Sequence, residues 1–391
     1  MYKKSIFSIC IIFLSMMLSL KAADLLFGVL TDNNKNYVGD RSINMREFSP
    51  NLDTVRRPSA RDLEDTEGLE IRDNILRTDE NGFIKGPGNN SKKPDILFFG
   101  GSTTENGFVP ENLRFPYLVS TLISSPNEEK INTLNAGVSA NNSMHSLLNL
   151  IAKGIPAEPS FIVLMHGVND AVLLAKTGTY WDAPSSRSII NVPPLLRSEE
   201  KGFRATIRGV KNLLVPNIWQ FLKVTPFLEQ FLDKYWNLKQ SNDDFEGFRY
   251  NSVTAANAAN ALRNEFRSTL TSFVLISREF GIEPILMTQP NRIENKDPLF
   301  QSWFKKRDQS ISVDEFRSIY ILSNKITRQV AVDQKVALID LAIEIGSNPR
   351  SFYDPVHLNE FGNIEAAKII SEGFSKKFPK NFILVEKKVV K

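Results

Sequence analysis

The chain has 391 residues, 42% of them hydrophobic, which suffices for one large or two ordinary domains and excludes disorder throughout. Lysine plus arginine total 48 against 44 acidic residues, and this balance of +4 is too small and too evenly spread for a nucleic-acid surface, so no nucleic-acid partner is expected. The single cysteine, Cys10, excludes a disulfide framework and a cysteine-type metal site.

Lys3 and Lys4 precede an apolar run over residues 6–20, the charged-then-apolar pattern of an export signal. The chain is therefore expected to be exported, to the periplasm, the cell envelope or the medium. Lys21-Ala22-Ala23 is a poor small-x-small cleavage site, and apolar character resumes from Leu25 to Leu30. A retained anchor needs about 20 apolar residues, a span that Lys21 and Asp24 interrupt. Residues 1–23 thus read as a cleaved signal peptide, as a signal anchor giving membrane attachment through residues 6–30, or as an N-terminal helix buried in the fold.

Residues 24–93 are expected as an extended N-terminal arm. From Thr31 to Lys93 the chain is polar, rich in Asn, Asp, Arg and Gly, and without a sustained period, so it reads as loops over a core formed elsewhere. The character changes at Ile96-Leu97-Phe98-Phe99, a continuous apolar run ending in Gly100-Gly101, the pattern of a strand buried on both faces of a parallel sheet. A helix is predicted over 113–123. The unit recurs as a strand over 131–134, a helix over 143–153 and a strand over 161–165. It continues with a helix over 256–280, a strand over 283–287, a helix over 313–330 and a strand over 337–341. This alternation predicts an α/β sandwich with a mostly parallel central sheet, occupying residues 94–380 and followed by a tail over 381–391. In such sheets ligands sit at the carboxyl ends of the strands.

Between residues 171 and 251 the pattern breaks into a helical insertion. It contains Pro193-Pro194, amphipathic pieces at 203–214 and 218–232, and many aromatics. Such an insertion forms either a lid over a site or a small subdomain that only packs.

Ser102 follows the first strand across two glycines, which let the chain turn sharply so that a hydroxyl projects from the sheet edge. Taken alone, the pattern equally fits a turn with a serine N-cap. A serine hydroxyl needs a base, and the chain has only 3 histidines, His145, His166 and His357. His357 lies three residues after Asp354, a carboxylate able to hold its imidazole in the proton-accepting tautomer. A tetrahedral intermediate also needs donors for its oxyanion. The N–H groups of Ser102 and Gly137 and the side-chain amide of Asn169 stand at strand ends where they could supply them. Gly137 and Asn169 read separately as an ordinary turn glycine and an Asx-turn. His166, near Asn169, reads as a strand-end histidine satisfied by a loop or as one that meets substrate, His145 as a structural or exposed residue of a helix, and Asp170 as a brace for the turn around Asn169.

As a set, Gly100-Gly101-Ser102, Asn135-Ala136-Gly137, Gly167-Val168-Asn169-Asp170 and Asp354-Pro355-Val356-His357 resemble the four blocks of the SGNH hydrolases, the GDSL esterases and lipases. The resemblance runs from about residue 95 to residue 377. It implies a three-layer, flavodoxin-like sandwich in which Ser102 is nucleophile and first oxyanion donor, Gly137 and Asn169 the other donors, His357 the base and Asp354 its orienting acid. It implies no cofactor and an ester as partner, either an O-acylated (acetylated) carbohydrate or a short-chain or lipid ester. An O-acyltransferase using the same residues is the alternative, as is a non-catalytic glycan-binding envelope protein. The family's usual Gly-Asp-Ser reads Gly100-Gly101-Ser102 here, which leaves the subgroup open. The arm and the insertion have no counterpart in the family's minimal pattern.

Overall fold

Ile96–Gly100 is apolar without alternation, and such a run can be sheltered only by covering both of its faces. In the computed structural model it is strand β1, buried at all five positions, inside a sheet of five parallel strands. The others are β2 (Thr133–Asn135), β3 (Phe161–Met165), β4 (Glu283–Met287) and β5 (Ala337–Ile339). The structure describes residues 14–26, 42–43, 45–87, 93–180, 189–191, 215, 218, 253–293, 297–305 and 311–385.

The strands lie in the order β5-β4-β3-β1-β2. After β1 the chain winds to one side to lay down β2, then crosses back to lay down β3 on the other side of β1. The carboxyl ends of β1 and β3 therefore flank a topological switch point, where successive strand–helix turns open onto one crevice. Their register is level, with Ile96 opposite Phe161 and Gly100 opposite Met165.

Helices cover both faces. Ile96, Phe98, Phe161, Val163, Met165, Ile285 and Met287 point to one side and pack with Phe115 and Val119 of helix Phe115–Leu122 and with Ile370 and Phe374 of helix Glu360–Lys377. On the other side Phe99 meets Phe273 of helix Arg267–Glu279 edge-on at 5.4 Å. Helices Ser143–Asn149, Val168–Thr177 and Val313–Asp333 complete that layer. Each buried Phe, Ile or Leu side chain stabilises the fold by roughly 1.5–3 kcal/mol. The result is the three-layer α/β sandwich expected from the alternation. Small differences occur at element ends: β5 stops at Ile339 because Asp340 turns the chain into a short helix, Leu341–Glu344. The helix expected over 256–280 runs from Ala255 to Glu279 through a π turn at Leu262–Phe266.

Residues 45–87 carry more structure than their sequence pattern suggests. Strands Asp53–Arg56 and Asn74–Arg77 pair antiparallel, Phe48, Leu76 and Ile84 form a small apolar cluster, and Ile84 bridges Asn135 at the end of β2. The alternation is disguised because a polar residue faces inward: Asn74 is buried and donates to the Arg56 and Arg72 carbonyls, while Val55 and Ile75 face solvent.

These residues and the sheet belong to the larger of two units, Asn44–Ala183, Arg187–Ile189 and Tyr250–Lys391. In the smaller unit, residues 14–26 are helical, Asp24 accepts the Ile218 N–H at 3.0 Å, and Ser42–Ile43 pairs antiparallel with Ile190–Asn191. Among the described residues, no helix is long and apolar enough to cross a membrane. Most of the 171–251 insertion, including Pro193-Pro194 and both amphipathic pieces apart from Ile218, lies outside the described residues.

Candidate active site

β1 delivers Ser102 through two glycines that leave no room for side chains. A β-carbon on Gly100 would collide with the Thr104 side chain, and one on Gly101 would lie 2.6 Å from Asn169 Nδ2 and 3.0 Å from the Asn141 oxygen. Ser102 then opens the short helix Ser102–Glu105, half-buried, with its N–H given to no protein acceptor among the described residues.

The loop that carries His357 is closed on itself. Phe352 bridges Leu358, and the Tyr353 N–H donates to the His357 carbonyl at 3.1 Å. Asp354 fixes the interior of the loop, its Oδ1 accepting the N–H groups of Val356 at 2.8 Å and His357 at 2.7 Å. Its Oδ2 is left to meet His357 Nδ1 at 2.5 Å, and His357 Nε2 lies 2.7 Å from Ser102 Oγ. Burial raises the pKa of Asp354, but His357 and the two backbone donors outweigh it and hold the carboxyl below its usual range. The Tyr353 ring lies parallel to the imidazole at 5.4 Å and limits its rotation. Asp354 and His357, three positions apart, thus form with Ser102, 255 positions before His357, one line of hydrogen bonds, carboxylate to imidazole to hydroxyl.

The turn after β3 brings Asn169 to the same place. Its Nδ2 donates to the Asn141 carbonyl at 2.7 Å, and the same nitrogen, with one amide hydrogen left, lies against Gly101. The turn is held from behind by Gln289, which follows β4. Gln289 Oε1 accepts the Val168 N–H at 2.7 Å and its Nε2 donates to Thr103 Oγ1 at 2.9 Å, so one buried side chain ties the neighbour of Asn169 to the neighbour of Ser102.

Gly137 is a correction. Its N–H is turned inward and donates to Asn135 Oδ1 at 2.8 Å, and the residue is buried against the backbone of Thr104 and Glu105. Further along the loop after β2, Ala140 is half-buried. Ala140 adopts φ 65°, a left-handed conformation unusual for a residue with a β-carbon, and its N–H has no protein acceptor among the described residues. Asn141, next in the chain, is the residue that Asn169 grips.

The other histidines serve the interior. His145 completes a capping box with Asn142 at the start of helix Ser143–Asn149. His166 is buried with Nε2 2.7 Å from Ser146 Oγ and Nδ1 3.6 Å from Asp170 Oδ2, and burial lowers its pKa to about 3. Asp170 Oδ1 accepts the N–H and hydroxyl of Ser143 and the hydroxyl of Tyr180. Burial nevertheless raises its pKa to about 6. Among the described residues, no group of three His, Cys, Asp or Glu side chains is arranged to hold a metal ion.

Ala140 and Gln289 were not singled out from sequence. Gln289 was accessible to the strand-end rule, since it stands two residues beyond β4. Ala140 carries no signal, because alanine, unlike glycine or asparagine, does not mark a left-handed position.

The chain is similar to several solved structures. One is a GDSL-like lipase from Bacteroides thetaiotaomicron, at 15% identity over 74% of this chain and 91% of that one, with a TM-score of 0.39. Another is an acetylxylan esterase from Geobacillus stearothermophilus, at 15% identity over 71% and 92%, with a TM-score of 0.37. A third is a lipase/acylhydrolase from Enterococcus faecalis, at 15% identity over 73% and 96%, with a TM-score of 0.38. No protein-family model matches the chain, and no curated protein does.

Proposed function

We propose that this chain is a serine ester hydrolase of the SGNH type. The observation that carries the reading is the unbroken line from Asp354 through His357 to Ser102 at the switch point of the sheet, with distances of 2.5 and 2.7 Å. Asp354 keeps a proton on Nδ1, so Nε2 is free to accept the proton of Ser102 as its oxygen attacks an ester carbonyl. His357 then returns that proton to the departing alcohol, leaving an acyl group on Ser102. Water, activated by the same imidazole, releases the acid.

The oxyanion formed in each step meets the Ser102 N–H, the remaining amide hydrogen of Asn169 and the Ala140 N–H, all donors without a protein acceptor among the described residues. Removing one such donor costs about 10²–10³ in turnover. The substrate class we favour is an O-acylated carbohydrate outside the cytoplasm. The charged-then-apolar N-terminus supports export, and the half-buried position of Ser102 suits a polar acyl ester.

The test is hydrolysis of p-nitrophenyl acetate, butyrate and octanoate by the chain and by its Ser102→Ala variant. Activity that falls with chain length and vanishes in the variant supports a deacetylase. A folded chain that cleaves none of the three, with or without a carbohydrate acceptor, overturns the reading.

A further inference from the structure

The segment before the sheet, which no motif explains, grips the loop after β2 at one peptide. Arg46 Nη2 donates to the Ser139 carbonyl at 2.9 Å. That carbonyl and the Ala140 N–H belong to the same trans peptide and point in opposite directions. Fixing the oxygen toward Arg46 therefore aims the N–H away from it. The other side of Ser139 is held by Glu105, at the end of the helix that Ser102 opens: its Oε2 accepts the Ser139 N–H at 2.5 Å and the Ser139 hydroxyl at 2.6 Å. Glu105 is buried, and Arg56 of the first hairpin strand lies 3.2 Å from its other oxygen.

Arg46 is itself fixed in place. Its carbonyl accepts the side-chain amides of Asn141 at 3.3 Å and Asn149 at 3.0 Å. The next residue, Glu47, pairs with Lys153 at 2.6 Å, and Phe48 joins the apolar cluster of Leu76 and Ile84.

We infer that Arg46 is a positioning residue for ester hydrolysis, orienting and polarising the Ser139–Ala140 peptide so that the Ala140 N–H serves the oxyanion, with Glu105 holding the opposite side. This rests on the hydrolase reading above. It also gives the segment from residue 45 a part in the active site, so the functional unit begins well before residue 94. A cation on the carbonyl side strengthens the dipole of the peptide and offsets the Glu105 carboxylate, which would otherwise oppose a developing negative charge.

The experiment compares the full chain with Arg46→Met, which keeps the apolar stem, and with Arg46→Lys, using p-nitrophenyl acetate. The affinity of phenylboronic acid, which adds to a serine as a tetrahedral anion, is measured alongside. Arg46→Met is expected to lower kcat by about ten- to a hundredfold, the effect of misplacing a reacting group. KM should change little, the boronate should weaken by a similar factor, and Arg46→Lys should restore most of the loss. Unchanged kcat and boronate affinity in a folded Arg46→Met variant would overturn the inference while leaving the hydrolase reading intact. So would losses that track melting temperature and are not restored by lysine. Absence of Ser102-dependent hydrolysis in the unchanged chain would overturn both.

Discussion

The side-chain amide of Asn169 donates to the main-chain oxygen of Asn141 at 2.7 Å, so the turn after β3 holds the loop after β2 with one hydrogen and, in the function we propose, gives the other to the oxyanion. Replacing Asn169 by alanine removes both. We expect kcat for p-nitrophenyl acetate to fall by about 10²–10³ with KM little changed. Asn169→Asp should be worse, because a carboxylate repels both the Asn141 carbonyl and the oxyanion. Steady-state kinetics on variants with unchanged circular dichroism decide it. An Asn169→Ala enzyme of full activity would remove Asn169 from the site.

Gly101 takes the place of the aspartate in the Gly-Asp-Ser pattern that residues 100–102 resemble, and the structure predicts that an aspartate there will lower the proposed activity. A β-carbon there would lie 2.6 Å from Asn169 Nδ2 and 3.0 Å from the Asn141 oxygen, and Asn169 would have to swing away. Gly101→Asp and Gly101→Ala should both lose activity, by an amount approaching that of Asn169→Ala. Higher activity in Gly101→Asp would show that the three loops do not meet as described.

Ala140 offers the opposite case. An L-residue at φ 65° costs about 1–2 kcal/mol, part of which glycine recovers after its own entropic cost of roughly 0.5–1 kcal/mol. Ala140→Gly should therefore raise stability by up to about 1 kcal/mol in urea denaturation and retain activity, since the N–H is kept. A less stable, inactive variant would mean that the alanine methyl, rather than the N–H, is what the loop requires.

His166 makes a pH-dependent contribution whose sign can be worked out. Its pKa falls from 6.5 to about 3 on folding, so below pH 6.5 the unfolded chain takes up a proton that the folded chain refuses. Folded-state stability is lost as the pH drops through that window, by up to about 1.4 kcal/mol per unit. A His166→Gln variant lacks the term, so whatever it costs at pH 7.5 should shrink at pH 5. A cost that stays constant or grows would show that His166 is charged in the folded protein.

Much of this architecture was legible in the chain. Continuous apolar runs at 96–99 and 161–165, short and bounded by turn residues, read as central parallel strands, and the strand-end rule points to Ser102 and Asn169. With few histidines to choose from, His357 and its Asp354 stood out. The loop after β2 departs from its sequence pattern for a physical reason: Gly137 looks like a free turn glycine, but Asn135, two residues earlier, folds its side chain onto that N–H, and sequence periodicity does not report side-chain capping. The Arg46 and Glu105 contacts were equally invisible. They join residues 93 and 34 positions apart through polar groups, whereas pattern analysis sees only apolar ones.

The central claim is that Ser102 is a nucleophile activated by His357, and the most direct measurement is mass spectrometry after treatment with a fluorophosphonate. The account predicts one phosphonyl adduct on the peptide containing Ser102. That adduct should be absent in Ser102→Ala and strongly slowed in His357→Ala. No adduct on the folded chain, or labelling of another serine that persists in Ser102→Ala, would contradict it.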